Sequence, residues 1–188
     1  MKFELTKAYL EHFQGDFQHI SHKELSQLSQ LQHPDDGLAL IKMPSKTPRF
    51  DQFDELIIYL DRLNDPGNLG TILRLCEWFG CRTLFINKGT TDVYQSKVVQ
   101  ASMGSLAFVE VFEVENDCLD TLKTKGYIIA ATSMDGENIF ELEKINPKTV
   151  LILGNEANGI SDELFEKADS KFSIPKDVNS ASESLNVA

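Results

Sequence analysis

The chain is poor in cysteine: its 188 residues include only Cys76, Cys81 and Cys118. An odd number without a Cys-x-x-Cys pair signals neither a disulfide framework nor a zinc site, so reduced, mostly packed thiols are expected. Long apolar runs are missing as well. No stretch approaches the roughly 18 consecutive apolar residues of a membrane-spanning helix. Met1-Lys2-Phe3-Glu4 carries no apolar signal core, and a cytoplasmic location is the expectation. No Gly-x-Gly-x-x-Gly follows any predicted strand, which weakens a dinucleotide-dependent oxidoreductase as a reading. Metal-ligand spacing is lacking too. His12, His19, His22 and His33 all fall near the N-terminus without it, and surface or capping roles are expected of them.

Positive charge is the remaining scarcity. Lys and Arg number 18 against 29 Asp and Glu, a net charge of −11. Phosphate binding draws on a surplus of Lys and Arg, so this balance counts against nucleic acid as a partner. Charge acts locally, however. The acidic residues thicken over 110–120, 135–143 and 162–169, while Lys42, Lys46, Arg49, Arg62, Arg74, Lys88 and Lys97 are free to build a separate basic face.

What is present is an ordinary globular composition, 41% hydrophobic, with length for one sizeable core and a small appendage. Residues 1–43 read as the appendage, a partial N-terminal accessory domain or else an extension lying on the main one: a strand over 3–9, a helix over 23–31 started by the capping-box spacing Ser21-His22-Lys23-Glu24, and a strand over 38–43. Pro44 and Pro48, without apolar period, mark 44–53 as a linker. From 54 to 188, strand-length apolar runs at 56–60, 83–86, 107–112, 127–131, 150–153 and 172–174 alternate with helical patterns at 69–79, 95–103, 118–125 and 162–167. That alternation predicts the α/β class, parallel strands joined by crossover helices.

Three short segments carry the chemistry. Asp65-Pro66-Gly67-Asn68-Leu69-Gly70, with Arg74 beyond it, follows the first strand of this region. Pro66 and Gly67 force a tight turn that leaves Asn68 at the helix start, where Asn caps free amides. Arg74 lies about 600° further round a helix, so the two look toward the same end of the sheet only if Asn68 is still in the turn. Alone, this segment reads as a capped turn with a surface arginine. Gly154-Asn155-Glu156-Ala157-Asn158-Gly159 follows the apolar Val150-Leu151-Ile152-Leu153. A Gly-rich turn after a parallel strand often receives phosphate, but the acid in its middle suits an arginine or a cationic ligand instead. The third segment is Ile174-Pro175, a polar stretch, then Ser184-Leu185-Asn186-Val187. Each segment puts Gly or small polar residues at the mouth of an apolar run, where open parallel sheets hold ligands.

As a set, Asn68-x-Gly70-x-x-x-Arg74, Gly154-x-Glu156-x-x-Gly159 and Ile174-Pro175 with Ser184-Leu185-Asn186-Val187 resemble the three motifs of SpoU-type (TrmH-like) RNA ribose methyltransferases of the SPOUT superfamily. The resemblance spans about residues 54–188. It implies an α/β fold whose C-terminal third threads a loop into a trefoil knot, S-adenosylmethionine held within the knot, and work as a homodimer on ribosomal or transfer RNA. Carried over by position, Gly154, Ile174 and Leu185 hold the cofactor, with Thr132, Asn155 and Gly159 nearby, while Asn68, Arg74, Glu156, Ser184 and Asn186 form the catalytic group. Arg74 is then the handle on the target nucleotide and Glu156 orients it. Because an arginine keeps its proton, the identity of the base stays open. The polar stretch between Pro175 and Ser184 departs from the pattern by lacking glycine, and the chain ends at Ala188 where relatives run on into a helix, so a truncated C-terminus is expected. A catalytically silent relative that binds RNA or a protein partner is the rival reading. Trp78 and Phe79 are expected in the core rather than as base-stacking platforms, and Lys97 and Gln100 on a solvated face.

Overall fold

The structure, a computed structural model, describes residues 18–29, 33–34, 37–39, 42–43, 47–50, 53–142, 146–177, 179–181 and 185–188. The chain divides into two compact units, Met1–Ser45 and Lys46–Ala188. In the first, helix α1 (His22–Leu28) begins as its sequence dictates: the Ser21 side chain accepts from the Glu24 amide, and the Glu24 carboxylate accepts from the Ser21 amide at 2.8 Å. Leu25 is its buried residue. The strand expected over 3–9 and His12 lie outside the described residues, and the described part of 38–43 carries no strand.

The second unit is a six-stranded sheet with order β3-β2-β1-β5-β4-β6, every pairing parallel. The strands are β1 (Leu56–Leu60), β2 (Thr83–Ile86), β3 (Glu110–Glu113), β4 (Ile128–Asn138), β5 (Thr149–Leu153) and β6 (Ser170–Ser173). Helices α2 (Pro66–Trp78), α3 (Ser96–Ser102), α4 (Cys118–Thr124) and α5 (Asp162–Lys167) connect them. Side chains alternate across each strand, so one sheet supports two cores. Ile57, Tyr59, Phe85, Val150 and Ile152 pack with Leu119 and Leu122 of α4 and Leu164 of α5 on one face. Ile58, Leu60, Leu84 and Ile86 pack with Leu69, Ile72, Leu73 and Cys76 of α2 and Val98 of α3 on the other.

Two strands differ from expectation. The strand expected over 107–112 starts later, because Met103 (φ 49°) and Gly104 (φ 93°) end α3 in left-handed conformations and a short 3-10 turn, Ser105–Ala107, follows. β4 runs beyond 131: residues 133–136 bulge out between Thr132 and Glu137, both paired with Phe172, and pairing with β6 then resumes. Gly136 permits this return, since a Cβ there would lie 2.6 Å from the Phe172 carbonyl carbon. The three cysteines are free and buried, and burial beside Asp117 and Asp120 pushes the Cys118 thiol up to about 12. No helix among the described residues is long and apolar enough to cross a membrane.

Candidate active site

The chain leaves β1 toward the α2 face and leaves its neighbour β5 toward the α5 face, so the crevice between their C-terminal ends is a topological switch point. The first two sequence segments flank it. Asp65, not Asn68, caps α2: its carboxylate accepts from the Asn68 amide at 2.7 Å, and Pro66 takes the first helical position, where no amide is needed. The expectation of Asn68 as the cap is thereby corrected. The Asp-Pro pair is the signal that marks this cap. With its backbone served by Asp65, Asn68 has a free side chain, and its Nδ2 donates to Glu156 Oε1 at 2.9 Å.

Because Asn68 stands inside the helix, Arg74 does not share its face. The Arg74 side chain is exposed, and among the described residues no ion pair joins it to Glu156. Trp78, one helical turn further, is 81% exposed and Phe79 is 77% exposed, which overturns their placement in the core. The buried stripe of α2 is filled by Leu69, Ile72, Leu73 and Cys76, leaving Leu75, Trp78 and Phe79 pointing elsewhere.

The loop after β5 is a closed turn. The Asn155 and Gly159 backbones exchange hydrogen bonds of 2.9 Å in both directions, and Asn155 Oδ1 accepts from the amides of Ala157 and Asn158. Gly154 has to be glycine, since a Cβ there would lie 2.5 Å from the Ile160 nitrogen and run into the Gly159 backbone. Gly159 adopts φ 66°, the left-handed region. Asn155, buried, donates through Nδ2 to the Arg62 carbonyl at 2.7 Å. Glu156 is thus held exposed at the loop tip, facing Asn68.

The third segment returns from the sheet edge toward this crevice. β6 lies at the edge, two strands beyond β5, yet Val187 and Ala188 pack against the α2-face core, as do Leu151 and Leu153. Ile174 and Leu185 leave apolar side chains exposed, and Asn186 Oδ1 accepts from the Ala188 amide at 3.0 Å. Ser184 lies outside the described residues. Thr132, where β4 begins its bulge, donates its hydroxyl to the Ile152 carbonyl at 3.2 Å.

Sequence reading missed Asp61 and Asn87, which sit directly behind the loop. Asp61 is fully buried, and its carboxylate accepts from Ser161 N at 2.6 Å, Asn87 Nδ2 at 2.7 Å and Arg62 Nε at 3.1 Å. Burial alone raises its pKa, but the hydrogen bonds outweigh burial and hold it below the usual carboxylate range. Among the described residues no group of His, Cys, Asp and Glu could hold a metal ion.

Several known proteins are similar to this chain. The 23S rRNA (guanosine(2553)-2'-O)-methyltransferase RlmP of Bacillus subtilis is 29% identical over 133 residues, 70% of this chain and 53% of that protein. A TrmH family tRNA/rRNA methyltransferase of Staphylococcus epidermidis is 30% identical over 153 residues, 76% of this chain and 61% of that one. The chain therefore spans between about half and three-fifths of the length of these relatives. Among solved structures, the SpoU methyltransferase AviRb of Streptomyces viridochromogenes in complex with AdoMet superposes with a TM-score of 0.83 at 25% identity, covering 96% of this chain and 72% of that one. An AdoMet-bound rRNA methyltransferase of Sinorhizobium meliloti gives 0.76 at 26% identity, covering 89% of this chain and 65% of that one. The SpoU rRNA methylase profile matches residues 55–188, most of the chain and all three segments around the crevice, and the chain belongs to that family.

Proposed function

We propose that this protein transfers a methyl group from S-adenosylmethionine to a ribose 2′-hydroxyl of RNA, with ribosomal RNA preferred over transfer RNA. The observation that carries the reading is the Asn68–Glu156 hydrogen bond, which joins two segments 88 residues apart across the switch-point crevice. The names of the relatives support the reaction, and the 23S rRNA enzyme and the Sinorhizobium rRNA methyltransferase support the ribosomal preference.

The residues fit the cofactor. Ile174 and Leu185 are 59% and 70% exposed, apolar surface that an adenine ring would cover. The exposed Glu156 carboxylate suits a positively charged ligand better than a phosphate. Gly154, Ile174 and Leu185 would hold the cofactor, with Thr132, Asn155 and Gly159 beside them. When bound, S-adenosylmethionine supplies a methyl group made electrophilic by its sulfonium.

The chain's own residues supply alignment. In-line displacement requires oxygen, carbon and sulfur to be collinear, a demand met by rigid loops rather than by strong acids or bases. Asn68 fixes the Glu156 carboxylate. Arg74, exposed and permanently charged, pairs with a phosphate of the target nucleotide and brings its hydroxyl to the crevice. Ser184 and Asn186 fix that hydroxyl by hydrogen bonding.

The tail that returns from edge strand β6 to the central core supports a C-terminal trefoil knot. Residues 1–43 act as part of an RNA substrate-binding domain, joined by 44–53 to the methyltransferase domain 54–188. Apolar surface on α2 supports a homodimer, and a cytoplasmic location belongs to the same proposal. The test is tritiated methyl transfer to total RNA from a strain lacking the gene, with the product mapped as a 2′-O-methylated nucleotide. Calorimetry separates this reading from a silent relative: one S-adenosylmethionine site per subunit for the enzyme, none for the scaffold.

A further inference from the structure

The segment that follows β1 holds the Glu156 loop at both of its ends. At the loop's start, Asn155 Nδ2 donates to the Arg62 carbonyl, and just past its end the Ser161 amide donates to Asp61 Oδ2 at 2.6 Å. Asp61 is itself fixed. Its amide extends the β1–β5 ladder by donating to the Leu153 carbonyl, and its Oδ1 accepts from Asn87 Nδ2. Asn87, on the residue after β2, turns its other amide atom to the same task, with Oδ1 accepting from the Arg62 amide at 2.8 Å. Arg62 needs that grip, because it is a non-glycine residue at φ 53°. The guanidinium of Arg62 closes the set on the Asp61 carboxylate at 3.1 Å.

We infer that Asp61, supported by Asn87, is a positioning residue for the reaction: its buried carboxylate ties the Ser161 amide and the left-handed Arg62 together, and so sets where the loop 154–159 presents Glu156. A fully buried carboxylate is costly unless its oxygens are served, and here both are. Its partners lie on three separate stretches of chain, β1's end, β2's end and the segment past the Glu156 loop. A group that served only folding could be replaced by an apolar side chain. A charged acceptor for a backbone amide fixes a direction as well as a distance.

This inference rests on the methyl-transfer reading for its kinetic consequence but not for its structural one, and the experiment separates the two. In Asp61→Asn, one of the two oxygens that now serve Ser161 and Asn87 separately becomes an NH2 group, so one of these donors loses its acceptor. Hydrogen exchange is expected to speed at least about tenfold for the amides of 155–161, while the amides of β5 stay as slow as in the unaltered protein. Methyl transfer is expected to lose about tenfold or more in kcat with KM for RNA unchanged, and adding Asp61→Asn to Glu156→Gln is expected to cost nothing further. Asn87→Ala provides the second variant, with the same pattern at smaller size. Unchanged exchange over 155–161 in both variants overturns the inference, as does a full additive loss in the double variant. If the unaltered protein transfers no methyl group, the functional reading fails while the exchange result still decides whether Asp61 holds the loop.

Discussion

Asn68 donates to Glu156 across the mouth of the sheet at 2.9 Å, although the two residues belong to loops that leave neighbouring strands toward opposite faces. The bond is possible because Asp65 has already capped α2, taking the Asn68 backbone amide and leaving its side chain for Glu156. Glu156 is exposed and Asn68 half-buried, so the pair contributes little to stability and its value lies in orientation.

Asn68→Ala is therefore expected to change unfolding free energy by less than about 0.5 kcal/mol while lowering kcat for methyl transfer about tenfold to a hundredfold. Urea unfolding and single-turnover transfer measure the two quantities. A variant that loses stability and keeps its rate would reverse the assignment, making the bond a fold contact.

Arg74→Ala is expected to abolish methyl transfer and leave S-adenosylmethionine affinity within about twofold, since the guanidinium is exposed and forms no ion pair with Glu156 among the described residues. Arg74→Lys separates charge from shape: a point charge cannot grip a phosphate in the bidentate way, so only a small part of the rate returns. Calorimetry with the cofactor and transfer to RNA decide it, and near-full turnover by Arg74→Ala refutes the role.

The sequence made the α/β class legible through its alternation of apolar runs, and the observed β1, β2 and α5 have the expected bounds. It also made the backbone of the first two segments legible, because glycine at Gly154 and Asp65-Pro66 at the start of α2 are constraints of backbone geometry written in residue type. Asp61 and Asn87 were not legible. A buried carboxylate beside a strand end looks like any surface acid until its donors from distant chain are known. Trp78 and Phe79 misled for the opposite reason: size suggests burial, but α2 had already filled its inward stripe with smaller residues.

Gly154→Ala is expected to destabilise the protein by about 1–3 kcal/mol, because the added methyl meets Gly159 and Ile160 backbone, which has no rotamer to yield. Opening the turn also breaks the paired Asn155–Gly159 bonds, so cofactor affinity falls with stability. Denaturant titration and calorimetry on one preparation should report both losses together.

Trp78 offers a direct probe of self-association, as it is the only tryptophan in the chain and is 81% exposed. Together with Leu75 and Phe79 it forms an apolar surface at the C-terminal end of α2, of the kind that marks a protein interface. If a second copy covers it, emission shifts to the blue as protein concentration rises, and sedimentation finds a dimer. Leu75→Ser with Phe79→Ser is expected to hold the emission red and the protein monomeric at every concentration. An emission that never moves, with a monomer throughout, rules out this face as the dimer contact.

Asp61 also gives the fold a pH dependence whose sign can be worked out. Its pKa is depressed in the folded state, where the amides of Ser161 and Asn87 and the Arg62 guanidinium outweigh the effect of burial. Unfolded, it titrates near the ordinary aspartate value of about 3.9. Between the two values the unfolded chain binds more protons, so stability rises with pH there. The contribution is complete above the unfolded pKa and is lost as pH falls from about 4 through the depressed folded value. Asp61→Asn should therefore be less stable than the unaltered protein at pH 7, with a gap that narrows on acidification below about pH 4. Denaturant midpoints across that range measure the gap. A gap of constant size down to acid unfolding would mean that the carboxylate's charge contributes nothing, and that only its shape matters.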